Sequence, residues 1–310
     1  MAISPRLIRR RIRSVQNTRK ITKAMELVAA AKMRRAVAAA LRTRAYAKLA
    51  WEMVDALHGS VAEELHPLLR SAVPASEMRG APAAASSTRA LYVVIASDRG
   101  LCGGFHAQLF REMTKGATHV PSATRWVVVG KKAEQFVRRQ GGALVASFTN
   151  LSVAPTIADL RPLARLVMEE FTEHRADVVR IVYTDFISSL RQMPRVQTLL
   201  PLQRMSGLGV GSESHPSPAP HASGIPDMLF EPNPQAVLDQ VLPRLVELQV
   251  YQCVLESGAS EHSARMLAMR SASDAAGEMI DHLTLTFNQA RQSLITREIA
   301  EISAGRAALA

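Results

Sequence analysis

The fold is decided by residues 233–304, which read NPQAVLDQVLPRLVELQVYQCVLESGASEHSARMLAMRSASDAAGEMIDHLTLTFNQARQSLITREIAEISA. An apolar row recurs in this stretch at alternating steps of three and four residues, which is the period of a coiled-coil seam. The stretch therefore predicts one long helix, which at ~1.5 Å per residue would extend roughly 100 Å and would need a partner of similar length. The row consists of Val241, Leu245, Leu248, Gln252, Leu255, Ala259, His262, Met266, Met269, Ser273, Ala276, Ile280, Leu283, Phe287, Ala290 and Leu294.

The other end of the chain offers that partner. Ser4 and Pro5 form a typical helix start, and the run that follows them contains no further Gly or Pro before Gly59. One face of this predicted helix is apolar, so two long helices from opposite ends of the chain can pair in antiparallel orientation and leave the middle as a separate body. The face consists of Ile8, Ile12, Val15, Thr22, Met25, Ala29, Ala36 and Ala40, widened by Leu7, Ile21, Val28, Met33 and Leu41.

The middle of the chain alternates predicted strands with predicted helices. Because the strands are apolar and helices separate them, the pattern predicts an α/β body with a largely parallel sheet. An Ala, Ser and Pro-rich segment at 71–89 is predicted to be a linker, and a Gly, Ser, Pro and His-rich segment at 206–226 a flexible loop. The predicted strands are 91–97, 126–130, 178–186 and 195–202, and the predicted helices between them are 105–115, 131–139 and 156–174.

Charge is concentrated in the first predicted helix. The 310 residues carry a net charge of +11, but the first fifty hold fourteen Lys and Arg against the single acid Glu26. Such a helix could bind DNA or RNA, or it could meet an acidic protein surface. Aromatic residues that would stack on bases are absent between Arg6 and Lys48 except for Tyr46. The composition therefore favours an acidic protein partner, with a nucleic-acid-binding coiled coil as the alternative.

No pattern in the chain carries catalytic or metal-binding chemistry. The Gly-rich turn at 98–104 follows a predicted strand but matches neither glycine pattern that binds phosphate, so a tight turn is the better interpretation. Cys102 and Cys253 have no Cys or His at metal-ligand spacing, and they predict neither a disulfide framework nor a zinc site. Since no run of about eighteen apolar residues occurs, no membrane span is predicted. The sequence predicts no catalytic residue, no cofactor and no metal.

Three long motifs nevertheless resemble one family. They are IRRRIRSVQNTRKITKAMELVAAAKM at 8–33, SDRGLCGG at 97–104 and ARQSLITREIAEI at 290–302. In this order and over nearly the whole chain, the sequence resembles the γ subunits of F-type ATP synthases. The resemblance implies an α/β fold class in which an antiparallel coiled coil of the long terminal helices accompanies a Rossmann-like α/β domain. The implied domains are a first helix at 1–70, a linker at 71–89, the α/β domain at 90–204, a variable foot loop at 205–232 and a second helix at 233–310.

The same resemblance implies a function. Family members are non-catalytic rotor shafts that couple ion translocation through the membrane sector to ATP synthesis or hydrolysis on the β subunits. The implied partners are three α and three β subunits, the ε subunit and the membrane c-ring, with no nucleic acid and with membrane contact only through the c-ring. The implied location is the cytoplasmic face of the bacterial inner membrane, as a peripheral protein.

The resemblance also assigns contact residues. Three residues near the C-terminus match positions that form hydrogen bonds with β, three basic residues match positions near the acidic lobe of β, and three residues at the end of the foot loop match the surface that meets ε and the c-ring. In this order they are Arg291, Gln292 and Thr296; Arg99, Lys20 and Lys23; and Met228, Phe230 and Glu231.

Overall fold

The computed structural model describes residues 5–57, 66–69, 89–117, 124–151, 155–202 and 233–308, with the side chains of the first helix described as far as Thr43. Within this part of the chain, helices and strands follow one another as α1 Pro5–Leu57, β1 Ala90–Ile95, α2 Phe105–Ala117, β2 Arg125–Val129, α3 Lys131–Arg139, β3 Ala143–Phe148, α4 Ile157–Thr172, β4 Val178–Phe186, β5 Gln192–Leu200 and α5 Pro234–Ala308.

The chain divides into two compact units. The helical unit contains Met1–Ala29 and Arg265–Ala310, and the α/β unit contains Ala30–Ala264. Helices α1 and α5 each contribute one part to each unit. The two long helices predicted from the sequence are therefore confirmed, and α5 remains helical on both sides of Pro243.

The two helices pair in antiparallel orientation. In the helical unit, the guanidinium carbon of Arg9 lies 5.1 Å from the centre of the Phe287 ring. Ten residues further along α1, the guanidinium of Arg19 lies beside Gly277, where an added Cβ would be 3.4 Å from it. Within the α/β unit, Thr43 Oγ1 donates a hydrogen bond of 2.6 Å to Gln252 Oε1. The residue number of the contact on α5 falls as the residue number on α1 rises, which is the antiparallel pairing that the sequence predicts.

The predicted seams are confirmed, whereas most of the predicted widening of the α1 face is wrong. Every residue of the predicted α5 row and of the narrow α1 face is buried or half-buried, and so is Met33. The other four widening residues are exposed because a pair of helices buries only a narrow stripe of each. They are Leu7, Ile21, Val28 and Leu41, with exposed fractions between 47 and 60 %.

The sheet has five strands in the order β3-β2-β1-β4-β5. The first four strands in this order are parallel, and β5 pairs antiparallel with β4. Alternate residues of the central strand β1 pack on opposite faces of the sheet. Leu91, Val93 and Ile95 face α4 and α5, while Tyr92 and Val94 face α2 and α3. Helices thus cover both faces of a largely parallel sheet, and the predicted Rossmann-like arrangement is confirmed.

Two edges of this sheet differ from the prediction. Strand β3 was not predicted, because its residues Ala143–Phe148 are exposed or half-buried at an edge and lack a long apolar run. Strand β5 begins at Gln192 instead of 195 and contains Pro194, which is tolerated because an edge strand has one side without ladder partners. The predicted foot loop at 205–232 and nearly all of the predicted linker at 71–89 lie outside the described residues, so the domain boundaries there stay predictions.

Candidate partner interface

A polar stripe lies on the outer surface of α5 in the helical unit. Arg291, Gln292 and Thr296 are all exposed. Gln292 and Thr296 are four residues apart, so they share one side of the helix and line one shallow groove. Arg297 also lines this groove, and its Nε lies 3.6 Å from Glu301 Oε1. The stripe presents amide, hydroxyl and guanidinium donors, which suit carbonyl or carboxylate oxygens on a partner.

The basic residues of α1 form the second part of the candidate interface. All eight Lys and Arg residues between positions 6 and 23 are exposed. Lys23 Nζ donates a 2.8 Å hydrogen bond to Glu26 Oε2, which is the only carboxylate in the first fifty residues. Lys20 lies one turn earlier on the same helix. Since one acid faces so many cations, this surface stays strongly positive and suits an acidic partner.

Arg99 belongs to the α/β unit, whereas the other five predicted β-contact residues belong to the helical unit. Its exposed side chain stands in the turn between β1 and α2. Ser97 Oγ donates a 2.7 Å hydrogen bond to the Arg99 carbonyl oxygen, and the turn contains Leu101 and Gly103 at φ of 62° and 57°. The structure therefore brings together five of the six predicted β-contact residues in the helical unit and places the sixth in the other unit.

The same turn explains why phosphate chemistry is not favoured at the sheet edge. In parallel α/β sheets, ligand phosphates bind to backbone N–H groups at the carboxyl ends of the strands. Here Asp98 Oδ1 accepts a 3.0 Å hydrogen bond from the N–H of Lys131, the first residue of α3. Asp98 Oδ2 accepts another of 3.0 Å from the N–H of Asn150. An internal carboxylate thus takes these donors and places negative charge where a phosphate would bind.

Sequence reasoning missed a set of exposed apolar residues on α5. Ile295, Ile299 and Ile302 are exposed by 46, 59 and 73 %. Steps of four and three residues place them on one side of the helix, outside the predicted seam. That spacing is visible in the sequence and was the signal that could have found them. Exposed apolar residues that line one side of a helix indicate a partner surface.

Other classes of site find little support in the structure. In the described ranges, no group of three or more His, Cys, Asp or Glu side chains is arranged to hold a metal ion. None of the helices described has both the length and the apolar composition needed to cross a bilayer. The predicted foot residues Met228, Phe230 and Glu231 lie outside the described residues.

Comparison with known proteins identifies the family. A family model described as ATP synthase matches residues 4–309. The ATP synthase gamma chain of Heliobacterium modesticaldum is 41 % identical over 305 residues, which cover 97 % of this chain and 98 % of the relative. The gamma chain of Moorella thermoacetica is 40 % identical, with the same coverage.

A solved structure shares the fold. A chain of the Euglena gracilis mitochondrial ATP synthase, solved by electron cryo-microscopy with OSCP, F1 and c-ring, aligns with a TM-score of 0.65 at 21 % identity, over 98 % of this chain and 94 % of that one. The nucleic-acid-binding alternative finds no support in these comparisons. The chain belongs to the ATP synthase gamma-chain family.

Proposed function

We propose that this chain is the central rotor shaft of an F-type ATP synthase, which couples ion translocation through the membrane sector to ATP synthesis or hydrolysis on β subunits. The observation that carries the proposal is the match to ATP synthase gamma chains, which covers 97 % of this chain and 98 % of each relative. The chain itself is non-catalytic in this proposal. Its partners are three α and three β subunits, ε and the c-ring, and it works as a peripheral protein on the cytoplasmic face of the bacterial inner membrane.

The architecture suits a shaft. A rotating element must resist bending and twisting, and α5 is a single helix of 75 residues paired with α1 over a buried seam. A shaft must also present different faces to the ring that surrounds it. The helical unit does so, with basic residues on α1 and the polar and apolar stripes on α5.

We assign the interface in the same terms. Exposed donors at Arg291, Gln292 and Thr296 bind β through hydrogen bonds, and Arg99, Lys20 and Lys23 face its acidic lobe. The support for this assignment is the exposure of all six side chains together with their match to the family motifs. Met228, Phe230 and Glu231 form the foot that meets ε and the c-ring, an assignment that rests on the family resemblance alone.

Reconstitution tests the function directly. The purified chain should assemble with α and β subunits into an ATPase in which a bead attached to the α/β unit rotates on addition of ATP. A chain that neither joins the ring nor rotates within it would refute the shaft. Binding to DNA with a steep dependence on salt would instead favour the nucleic-acid alternative.

A charge-reversal variant tests the basic surface. We expect Lys20→Glu combined with Lys23→Glu to weaken assembly about tenfold at low salt, because each exposed pair contributes up to about 1 kcal/mol. The defect should shrink as salt screens the charges. Arg19 is left unchanged because its guanidinium lies against Gly277. The control, Arg111→Glu with Arg139→Glu, changes the net charge equally in the α/β unit. Equal assembly of both variants at low salt would contradict the acidic-lobe contact.

The polar stripe on α5 predicts a defect in turnover. Replacing Arg291 and Gln292 together by alanine should reduce ATP synthesis by membrane vesicles about tenfold or more, since a charge-assisted hydrogen bond contributes roughly 1.5–3 kcal/mol. Arg270→Ala is the matched control, because Arg270 is an exposed arginine of the same helix outside the stripe. Turnover of the double variant at the level of this control would remove these residues from the interface.

Redox conditions should leave the activity unchanged. Cys102 and Cys253 are both buried and neither forms a disulfide, and burial raises the pKa of the Cys253 thiol well above its ordinary value. Both thiols are therefore poorly accessible for disulfide exchange. ATP hydrolysis by the assembled complex should be equal with and without dithiothreitol. A several-fold change that disappears on replacing either cysteine by serine would show that the thiols regulate the complex.

A further inference from the structure

One stretch of α5 is enclosed by the α/β unit. From Leu245 to Ser263, every residue is buried or half-buried. Much of this burial is apolar packing against the sheet and α4, through residues such as Leu245, Val246 and Val250. The hydrophobic effect is non-directional, so hydrogen bonds from this helix to fixed acceptors add an angular restraint that burial of apolar area alone does not supply.

Three buried serines along one side of this stretch make directional contacts to the sheet and the β4–β5 turn, in addition to the contacts of Glu247 with Arg161 on α4 and of Gln252 with Thr43 on α1. Each serine Oγ donates a hydrogen bond to a backbone carbonyl oxygen at the end of a strand or in the β4–β5 turn. The bonds run from Ser257 to Ile95 at 3.4 Å, from Ser260 to Thr184 at 3.1 Å and from Ser263 to Ser189 at 2.6 Å. Their spacing of three residues makes successive serines neighbours on the helix surface.

Two of the carbonyl groups that accept these bonds lie beyond the end of a ladder or in a turn. Thr184 lies two residues beyond Val182, the last residue of β4 that pairs with β1. Ser189 lies in the turn after β4, where the Gln192 side-chain amide also donates to its carbonyl at 3.0 Å. The same amide donates to Ser263 Oγ at 3.3 Å, so the hydroxyl and the turn are joined in one network.

Rotation of α5 would break these bonds together. A serine Oγ lies about 4 Å from the axis of its helix, since the Cα radius is about 2.3 Å. A turn of about 30° would move each Oγ by about 2 Å, which takes most such bonds beyond hydrogen-bond distance. The acceptors belong to one sheet and its turn and do not follow the helix. All three hydrogen bonds therefore oppose the same motion.

We propose that Ser260 and Ser263, assisted by Ser257, form a serine clamp that fixes the rotational angle of α5 relative to the sheet and carries torque between the α/β unit and the long helix. The torque-carrying part of this inference rests on the proposed function. In that role the serines are positioning residues, because they act on the angle of the shaft and touch neither nucleotide nor the transported ion.

The first test uses the isolated full-length chain. Spin labels are attached to cysteines introduced at the exposed positions Gln135 on α3 and Gln240 on α5, and their distance distribution is measured by pulsed electron paramagnetic resonance. Ser260→Ala with Ser263→Ala should widen the distribution by about 2 Å, the displacement estimated above. Ser263→Ala alone should give a smaller widening and keeps the test decisive if the double variant does not fold. Unchanged widths in folded variants would overturn the clamp.

A matched control separates the clamp from general effects of removing serines from a helix. Ser271→Ala with Ser273→Ala alters the same helix at two positions of the helical unit and should leave the distribution unchanged. An equal widening in this control would also overturn the clamp, because the effect would not depend on the bonds to the sheet.

The second test measures torque in the assembled complex. With a bead on the α/β unit, the angular variance during the pauses of rotation should rise about twofold in Ser260→Ala with Ser263→Ala, and ATP synthesis against a load should fall several-fold while unloaded hydrolysis stays at the parent level. Parent-like variance in a rotating complex would refute torque transfer through the serines. If the parent chain does not rotate at all, the proposed function fails, and the spin-label experiment alone decides whether the clamp exists.

Discussion

Replacing Gly130 with alanine is expected to lower the free energy of unfolding of the α/β unit by at least about 3 kcal/mol. Gly130 stands between β2 and α3 at φ 93° and ψ 141°, a backbone conformation that residues with a Cβ rarely adopt. An added Cβ would also lie 2.6 Å from the Ala96 carbonyl oxygen and 2.8 Å from its carbon. Because these atoms are backbone at the end of β1, they cannot move aside as a flexible side chain would.

Two other glycines separate the two causes of this expected loss of stability, which are the strained backbone conformation and the close approach of the added Cβ. Gly141 has φ of 70° with no atom within 4 Å of an added Cβ, so Gly141→Ala should cost about 1–2 kcal/mol for the backbone conformation alone. Gly100 has equal space and no positive φ, and Gly100→Ala should be nearly neutral. Urea unfolding followed by fluorescence reports on the α/β unit, since both tryptophans, Trp51 and Trp126, belong to it. A Gly130→Ala loss no larger than that of Gly141→Ala would show that the close approach relaxes.

The second large effect concerns the buried carboxylate of Glu170. Its side chain is 3 % exposed and forms ion pairs with Arg125 and Arg175, whose side chains are 33 and 47 % exposed. Removing the arginine should cost more stability than removing the carboxylate, because an arginine left alone here can reach water and a buried carboxylate cannot. Arg125→Met is expected to cost about 3 kcal/mol, whereas Glu170→Gln should cost about 1 kcal/mol.

A double variant separates the lost attraction of the Arg125–Glu170 ion pair from the cost of leaving a charged carboxylate buried without that partner. If the cost of Arg125→Met comes from leaving Glu170 buried with one weaker partner, Arg125→Met combined with Glu170→Leu should recover most of the lost stability. The same urea unfolding measures all three variants. Additive losses in the double variant, or equal losses in the two single variants, would argue against this account.

The sequence predicts the parts of this fold that are set by local periodicity. Strands β1, β2 and β4 could be predicted because their buried Val and Ile runs are flanked by turn residues, and the α1–α5 seam because its period is that of two paired helices. Strand β3 could not, since Ala143–Phe148 lies at an edge where burial does not demand an apolar run. For the interface, the motif match indicated the contact residues. The spacing of Ile295, Ile299 and Ile302 could have indicated an apolar stripe, but only the structure shows that all three are exposed.

Contacts between distant parts of the chain could not be predicted. Asp98 reaches N–H groups 33 and 52 residues away, and Ser260 reaches a carbonyl 76 residues away. A serine in an apolar helix or an aspartate in a Gly-rich turn fits many surroundings, and only the folded arrangement selects the partner. These are the contacts on which the inferences about phosphate and the serine clamp depend.

The position of Asp98 has a thermodynamic consequence for a machine that handles nucleotides elsewhere. A fold whose phosphate position binds a free ligand gains stability with the logarithm of the ligand concentration. Here the anion is covalently part of the chain, so its local concentration is constant and no such linkage arises at this position. We therefore expect the melting temperature of the isolated chain to stay the same from no nucleotide to millimolar ATP or ADP. The folding stability of the chain would then be independent of the nucleotide concentrations in the cell.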